Sequence, residues 1–153
     1  MASEHIASTG VRVESLGPRL STWRYWGPLG LYAGLIFFGS SISNPPEVLS
    51  PIMKEFSDKT LHLFEYSILG ALSYRACRHA SGSWVARHAV AVAVAGCALY
   101  GLSDEIHQLF VPFRKGGDPL DVMADVAGAT LGAWSWHWLE RRHASFSPPS
   151  PGA

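Results

Sequence analysis

The chain has 153 residues, 12 basic and 12 acidic side chains and a formal net charge of +0; only 16% of it is charged, where a soluble domain averages about 25%. Neutrality removes the sequence-independent pull on phosphate backbones that a nucleic-acid binder uses. Two cysteines, Cys77 and Cys97, are too few for a disulfide framework or a four-ligand zinc site, and 48% hydrophobic residues are too many for a disordered chain.

Residues 1–22 are polar, without apolar periodicity or the basic-then-apolar run of a signal peptide, and read as a flexible tail. Residues 25–46 follow, 22 positions without a charge, enough for a membrane span of about 20. Tyr25 and Trp26 suit an interfacial belt. Gly30 and Gly34 have a spacing that lets helix backbones approach closely.

A second apolar segment, 60–77, carries His62, Glu65 and Tyr66 in its first turns. A third, 84–110, meets Asp104 and Glu105 near its end. A fourth, 120–139, opens with Asp121 and Asp125, has Gly128 and Gly132 in its middle, and ends in Trp134, Trp136 and Trp138. Residues 144–153, rich in Pro and Ser, read as a second tail. Residues 23–143 therefore form one all-α domain. A soluble four-helix bundle is the alternative to a membrane protein. Against it stand the first segment and the stretch 89–99, which have no polar stripe to show water.

The basic residues divide unevenly. Arg12, Arg19, Arg24, Arg75, Arg78, Arg87, Arg141 and Arg142 fall on one side of the four segments, and Lys54, Lys59, Arg114 and Lys115 on the other. The positive-inside rule predicts four transmembrane helices with both termini cytoplasmic. Nine acids (Glu47, Glu55, Asp58, Glu65, Asp104, Glu105, Asp118, Asp121 and Asp125) then lie at the outer face.

Helical spacing gathers these polar residues into stripes. Asp58, His62, Glu65 and Tyr66 share one, with Lys59 beside it. Asp104, Glu105 and Gln108 form a second, with His107 alongside, and Asp121 and Asp125 a third. Arg114 sits in the loop between the last two. Too few cations stand nearby to neutralise so many carboxylates, and crowded acids make candidate proton donors and acceptors. A structural lock of mutually satisfied polar groups is the bland alternative. His137 reads as an interfacial residue, and Cys77 and Cys97 as packing residues.

The stretches 58–66, 103–114 and 121–132 resemble the VanZ-like family of small membrane proteins: a DK-x-x-H motif, a DE-x-x-Q motif with an Arg six residues on, and an Asp opening the last helix. The resemblance covers roughly residues 25–140. Leu63 stands where the family usually has Phe, and Asp125 where it usually has Asn; an ionised Asp cannot donate the hydrogen bond an amide could. The resemblance implies a four-helix protein of the bacterial cytoplasmic membrane. The family's founding member is associated with teicoplanin resistance.

The expected function is binding of, or action on, a cell-envelope ligand at the outer face. The candidates are a lipid headgroup, a lipid-linked cell-wall precursor or a glycopeptide antibiotic. Asp58, His62, Asp104 and Glu105 are the candidate catalytic groups, by acid–base chemistry. Lys59, Glu65, Tyr66, Gln108, Arg114, Asp121 and Asp125 are the candidate binding groups, with Arg114 holding an anion. A divalent cation has Asp104, Glu105 and Asp121 as candidate ligands, and His62 joins them for a transition metal. A lock or partner-docking surface without enzymatic activity stays open. A proton-coupled carrier is disfavoured, because the cytoplasmic halves of the helices are almost wholly apolar.

Overall fold

The computed structural model describes residues 18–43, 58–114 and 116–146. Of the expected tails, 1–22 and 144–153, residues 1–17 and 147–153 lie outside these residues, as do Glu47, Lys54, Glu55, Lys115 and the Asp58 side chain. Five helices are described: α1 (Pro18–Ser40), α2 (Asp58–His79), α3 (Ser83–Arg87), α4 (Ala89–Gln108) and α5 (Pro119–Phe146). No strand occurs among the described residues.

Four helices were expected, and the fifth comes from a break in the third segment. At His88 the backbone leaves helical geometry, with φ −107° and ψ 24°. Its amide N–H is shared between the Trp84 and Val85 carbonyls, and its ring nitrogen lies 2.9 Å from the Trp84 carbonyl. The five-residue helix α3 closes there and α4 starts afresh. The other boundaries also move. α1 begins within the expected tail, and α5 runs on to Phe146. α5 starts where local chemistry puts it: the Asp118 carboxylate accepts the Leu120 N–H at 2.9 Å, and Pro119 fills the first helical position, where no N–H is needed.

α2 is the hub and packs against α1, α4 and α5, most extensively against α5. The α2–α5 seam is made by small residues. A Cβ at Gly132 would overlap the Ser67 carbonyl oxygen, one at Gly128 the Leu63 carbonyl oxygen, and one at Gly70 the Ala129 carbonyl oxygen. The expected close approach at Gly128 and Gly132 is thus met by α2. That expected at Gly30 and Gly34 is not: nothing lies within 4 Å of a Cβ there.

The bundle buries polar side chains at one end and shows an apolar exterior. Two small apolar clusters fill its axis: Ile36, Tyr66, Leu69, Cys97 and Ala129, then Tyr74, Cys77, Ala89, Ala93 and Ala133. Cys77 and Cys97 are free, buried thiols. Asp104, Glu105, Gln108, Asp121 and Asp125 are buried too, whereas Phe38 is 67% exposed, Leu99 70% and Met123 65%. α4 alone among the described helices is long and apolar enough by itself to cross a membrane. α1, expected to span by itself, is not apolar enough over its described length: besides Arg19 and Arg24 it holds Pro28 and several Gly, Trp and Tyr residues that lower its mean hydropathy.

Gly132→Ala and Gly128→Ala should each lower stability by about 1–3 kcal/mol or more, because a methyl group would force backbone apart from backbone. Gly30→Ala and Gly34→Ala should be tolerated. Thermal unfolding of the purified variants, followed by circular dichroism, measures the difference.

Candidate functional site

Local sequence places the polar side chains at one end of the bundle: the start of α2, the end of α4, the loop after it and the start of α5. α1 brings its C-terminus to the same end, where Ser40 bonds Asp104. The polar groups divide into two sets with different degrees of saturation.

The first set is closed on itself. Ser40 donates to one Asp104 oxygen at 2.6 Å, and the Gln108 amide donates to the other at 2.9 Å. Arg114, expected to hold an anion, instead donates to the Gly39 carbonyl at 2.8 Å and the Ile42 carbonyl at 3.2 Å. Those carbonyls belong to the C-terminal end of α1 and the turn after it, where the helix leaves acceptors outside its regular bonding; the Gly39 carbonyl also accepts the Ile42 N–H. His107 Nε2 lies 3.0 Å from the Ser41 hydroxyl, and its ring stacks on Phe37. These bonds tie the end of α1 to α4. Ser40 and Ser41 had no signal in the sequence, being serines inside an apolar run.

The second set is less saturated. His62 Nδ1 lies 2.9 Å from an Asp125 oxygen. Asp125 is almost wholly buried; in the tautomer with the proton on Nδ1 it is the acceptor, a role in which an Asp loses nothing to an Asn oxygen. Lys59 bridges Asp118 and Asp121, at 3.0 Å to each. One Glu105 oxygen, Oε2, accepts the backbone N–H groups of Gly117 and Asp118 at 2.8 and 3.1 Å. The glycine before them permits this: a Cβ at Gly116 would meet the Leu109 nitrogen at 2.6 Å and the Glu105 carbonyl at 2.7 Å. The other oxygen, Oε1, is buried with no hydrogen-bond partner among the described residues. The Tyr66 hydroxyl is likewise buried and unpartnered there.

A ring nitrogen of His62 and a carboxylate oxygen each of Glu105 and Asp121 lie within 4.8 Å of one another. Asp104, which the sequence grouped with Glu105 and Asp121, is drawn away by Ser40 and Gln108. Glu65 was expected on one stripe with His62 and Tyr66. Its side chain is exposed, yet its carboxylate lies within electrostatic reach of His62, Asp104, Asp125 and Arg114 at the polar end.

The opposite end carries a polar group that the sequence did not resolve. Glu140 accepts from Tyr74 at 3.0 Å and from Trp136 at 3.0 Å, and meets His79 at 2.8 Å. His137 lies 3.0 Å from the Tyr74 hydroxyl, so it takes part in this network besides lying at the aromatic end of α5. Arg75 stacks over Trp136 at 4.8 Å.

The fold and the site define an all-helical bundle with an apolar exterior and an acid-rich polar end. The sequence profile of the VanZ/LLP1 family matches residues 19–140, and the chain belongs to that family. No curated protein and no solved structure matches it.

Replacing Asp104 by Leu should cost about 1–3 kcal/mol, because the buried Gln108 amide would lose its acceptor. Chemical unfolding of Asp104→Leu against wild type measures this. Asp118 supplies a pH test. The Leu120 N–H, and then the Lys59 ammonium, hold its carboxyl below the ordinary value of 3.8. A depressed folded-state pKa contributes stability that is complete above the unfolded value and is lost as pH falls through the folded one. The stability difference between wild type and Asp118→Asn should therefore be constant above about pH 5 and shrink on further acidification.

Proposed function

We propose that the chain is a multi-pass protein of the bacterial cytoplasmic membrane, with α1, α2, α4 and α5 crossing it and both termini cytoplasmic. Its polar end is an extracytoplasmic site that binds a cell-envelope ligand: a lipid headgroup, a lipid-linked cell-wall precursor or a glycopeptide. The apolar exterior around buried acids carries this reading. Acids are buried while Phe, Leu and Met face outward, which in water would waste apolar burial and in lipid wastes nothing. The charge pattern supports the orientation: Arg75, Arg78, Arg87, Arg141 and Arg142 lie toward the end opposite the site. Phe110 and Phe113 are 80% and 90% exposed beside the polar end, where aromatic rings suit the bilayer interface.

Saturation separates lock from site. Asp104, Gln108, Ser40 and Arg114 satisfy one another or the end of α1 and hold the helices in register. Glu105 keeps a buried carboxylate oxygen without a partner among the described residues, and with His62, Asp121 and Asp125 it forms the ligand end, with Lys59 at its rim.

Substitutions test the division. His62→Ala, Glu105→Gln and Asp121→Asn should abolish co-purification of the ligand, measured by mass spectrometry of extracts from the purified protein, while protein level holds. Arg114→Ala and Asp104→Leu should lower protein level and ligand together. Retention of the ligand by all three variants of the first group would sink the assignment. For orientation, Pro112→Cys places a thiol on an exposed loop position, whereas the native thiols are buried. An impermeant maleimide should label it in intact cells; labelling only after lysis would reverse the topology.

A further inference from the structure

The geometry points to a divalent transition-metal site, of the zinc type, formed by His62, Glu105 and Asp121 at the polar end of the bundle. Each ligand comes from a different helix, α2, α4 and α5, and their ligand atoms lie within 4.8 Å of one another. Ligands at about 2.0–2.2 Å from zinc stand roughly 3.3–3.6 Å apart in a tetrahedron, so small side-chain rotations close the set. One nitrogen and two carboxylate oxygens suit zinc or manganese, and two carboxylates balance the charge of a divalent ion.

Two observations beyond the clustering of acids favour a metal. The first is the Glu105 side chain, 2% exposed. Its Oε2 is pinned by two backbone N–H groups, while Oε1 is buried with no partner among the described residues. A buried carboxylate oxygen without a donor is costly, and a cation held jointly with His62 and Asp121 removes that cost. The second is the His62–Asp125 contact at 2.9 Å. A metal-bound imidazole characteristically gives its other ring N–H to a carboxylate, which fixes the tautomer and raises its basicity as a ligand. In the tautomer whose Nδ1–H is directed at Asp125, Nε2 is the ring nitrogen that coordinates the metal. Asp125 is then a positioning residue behind the metal ligand. Lys59 occupies one Asp121 oxygen, Oδ1, and leaves Oδ2 for the ion. The inference goes beyond the headgroup reading and does not depend on it, since the three ligands are brought together by the folded bundle whatever surrounds it.

The test uses the full chain purified in detergent, with any affinity tag removed, stripped by chelator and titrated with Zn2+ alone. Calorimetry, and elemental analysis after desalting, should give about one Zn2+ per chain. Affinity should fall at least tenfold in His62→Ala, Glu105→Gln and Asp121→Asn, and by about 10–100-fold in Asp125→Leu. Asp104→Asn should bind as wild type. Glu105→Gln keeps an oxygen for the Gly117 and Asp118 N–H groups, so its fold is expected to survive. If binding is absent with both Zn2+ and Mn2+, or unchanged in folded Glu105→Gln, the site is overturned. Should every variant misfold, zinc absorption spectroscopy of the wild type decides. Nitrogen and oxygen shells at about 2.0–2.2 Å support the site, and a sulfur shell at about 2.3 Å moves the metal to a cysteine and refutes it. A wild-type chain that binds neither Zn2+ nor Mn2+ but still co-purifies with a lipid or glycopeptide would refute the metal alone; Zn2+ binding with no co-purifying lipid or glycopeptide would refute the headgroup reading alone.

Discussion

The close approach of α2 and α5 is the constraint on which the rest of the structure depends. Gly70, Gly128 and Gly132 lie where any side chain would run into the opposing backbone. With the two helices this near, residues at their polar ends meet at hydrogen-bond distance: His62 with Asp125, and Lys59 with Asp121. Helices of one bundle commonly stand 8–10 Å apart depending on the side chains between them. A larger residue in the seam would open these pairs. The glycine stripe therefore acts on the polar end without belonging to it.

A second close approach completes the arrangement. Gly116 lets the loop before α5 lie against the end of α4, and the next two backbone N–H groups reach Glu105. One Glu105 oxygen is thereby fixed and the other left without a donor among the described residues. At the adjacent residue, Asp104 is satisfied on both oxygens by Ser40 and Gln108. Two neighbouring acids on one helix thus have opposite fates. The closed one holds α1 to α4, and the open one is the natural place for a ligand, because unused acceptor capacity in a buried group favours whatever can satisfy it. The proposed membrane setting sharpens this contrast, since lipid offers no water to relieve such a group.

Much of the helical pattern was legible in the sequence. Apolar segments marked the four long helices, and polar residues at their ends marked where the helices meet the polar end. The polar stripes were legible as well, because i, i+4 spacing puts His62 and Tyr66 on one face whatever the partners are. The break at His88 was not, since it depends on a backbone conformation that hydropathy does not register. Nor was the exposure of Glu65: a stripe spans a wide arc, and only the packed neighbours decide which of its edges is covered.

By itself, then, the sequence determined the helical class, the family motifs and the segregation of basic from acidic residues, all of which rest on short-range spacing and composition. Tertiary structure alone decided how the acids were partnered. Asp104 and Glu105 are adjacent and chemically alike, and nothing local distinguishes them. Ser40, 64 residues away from Asp104, and the Gly117 amide, 12 residues away from Glu105, do so by arriving from other elements. Arg114 changes role for the same reason: the end of α1 comes within reach and offers it carbonyls. Partner choice among like groups is a long-range property, set by which backbones are allowed to come close.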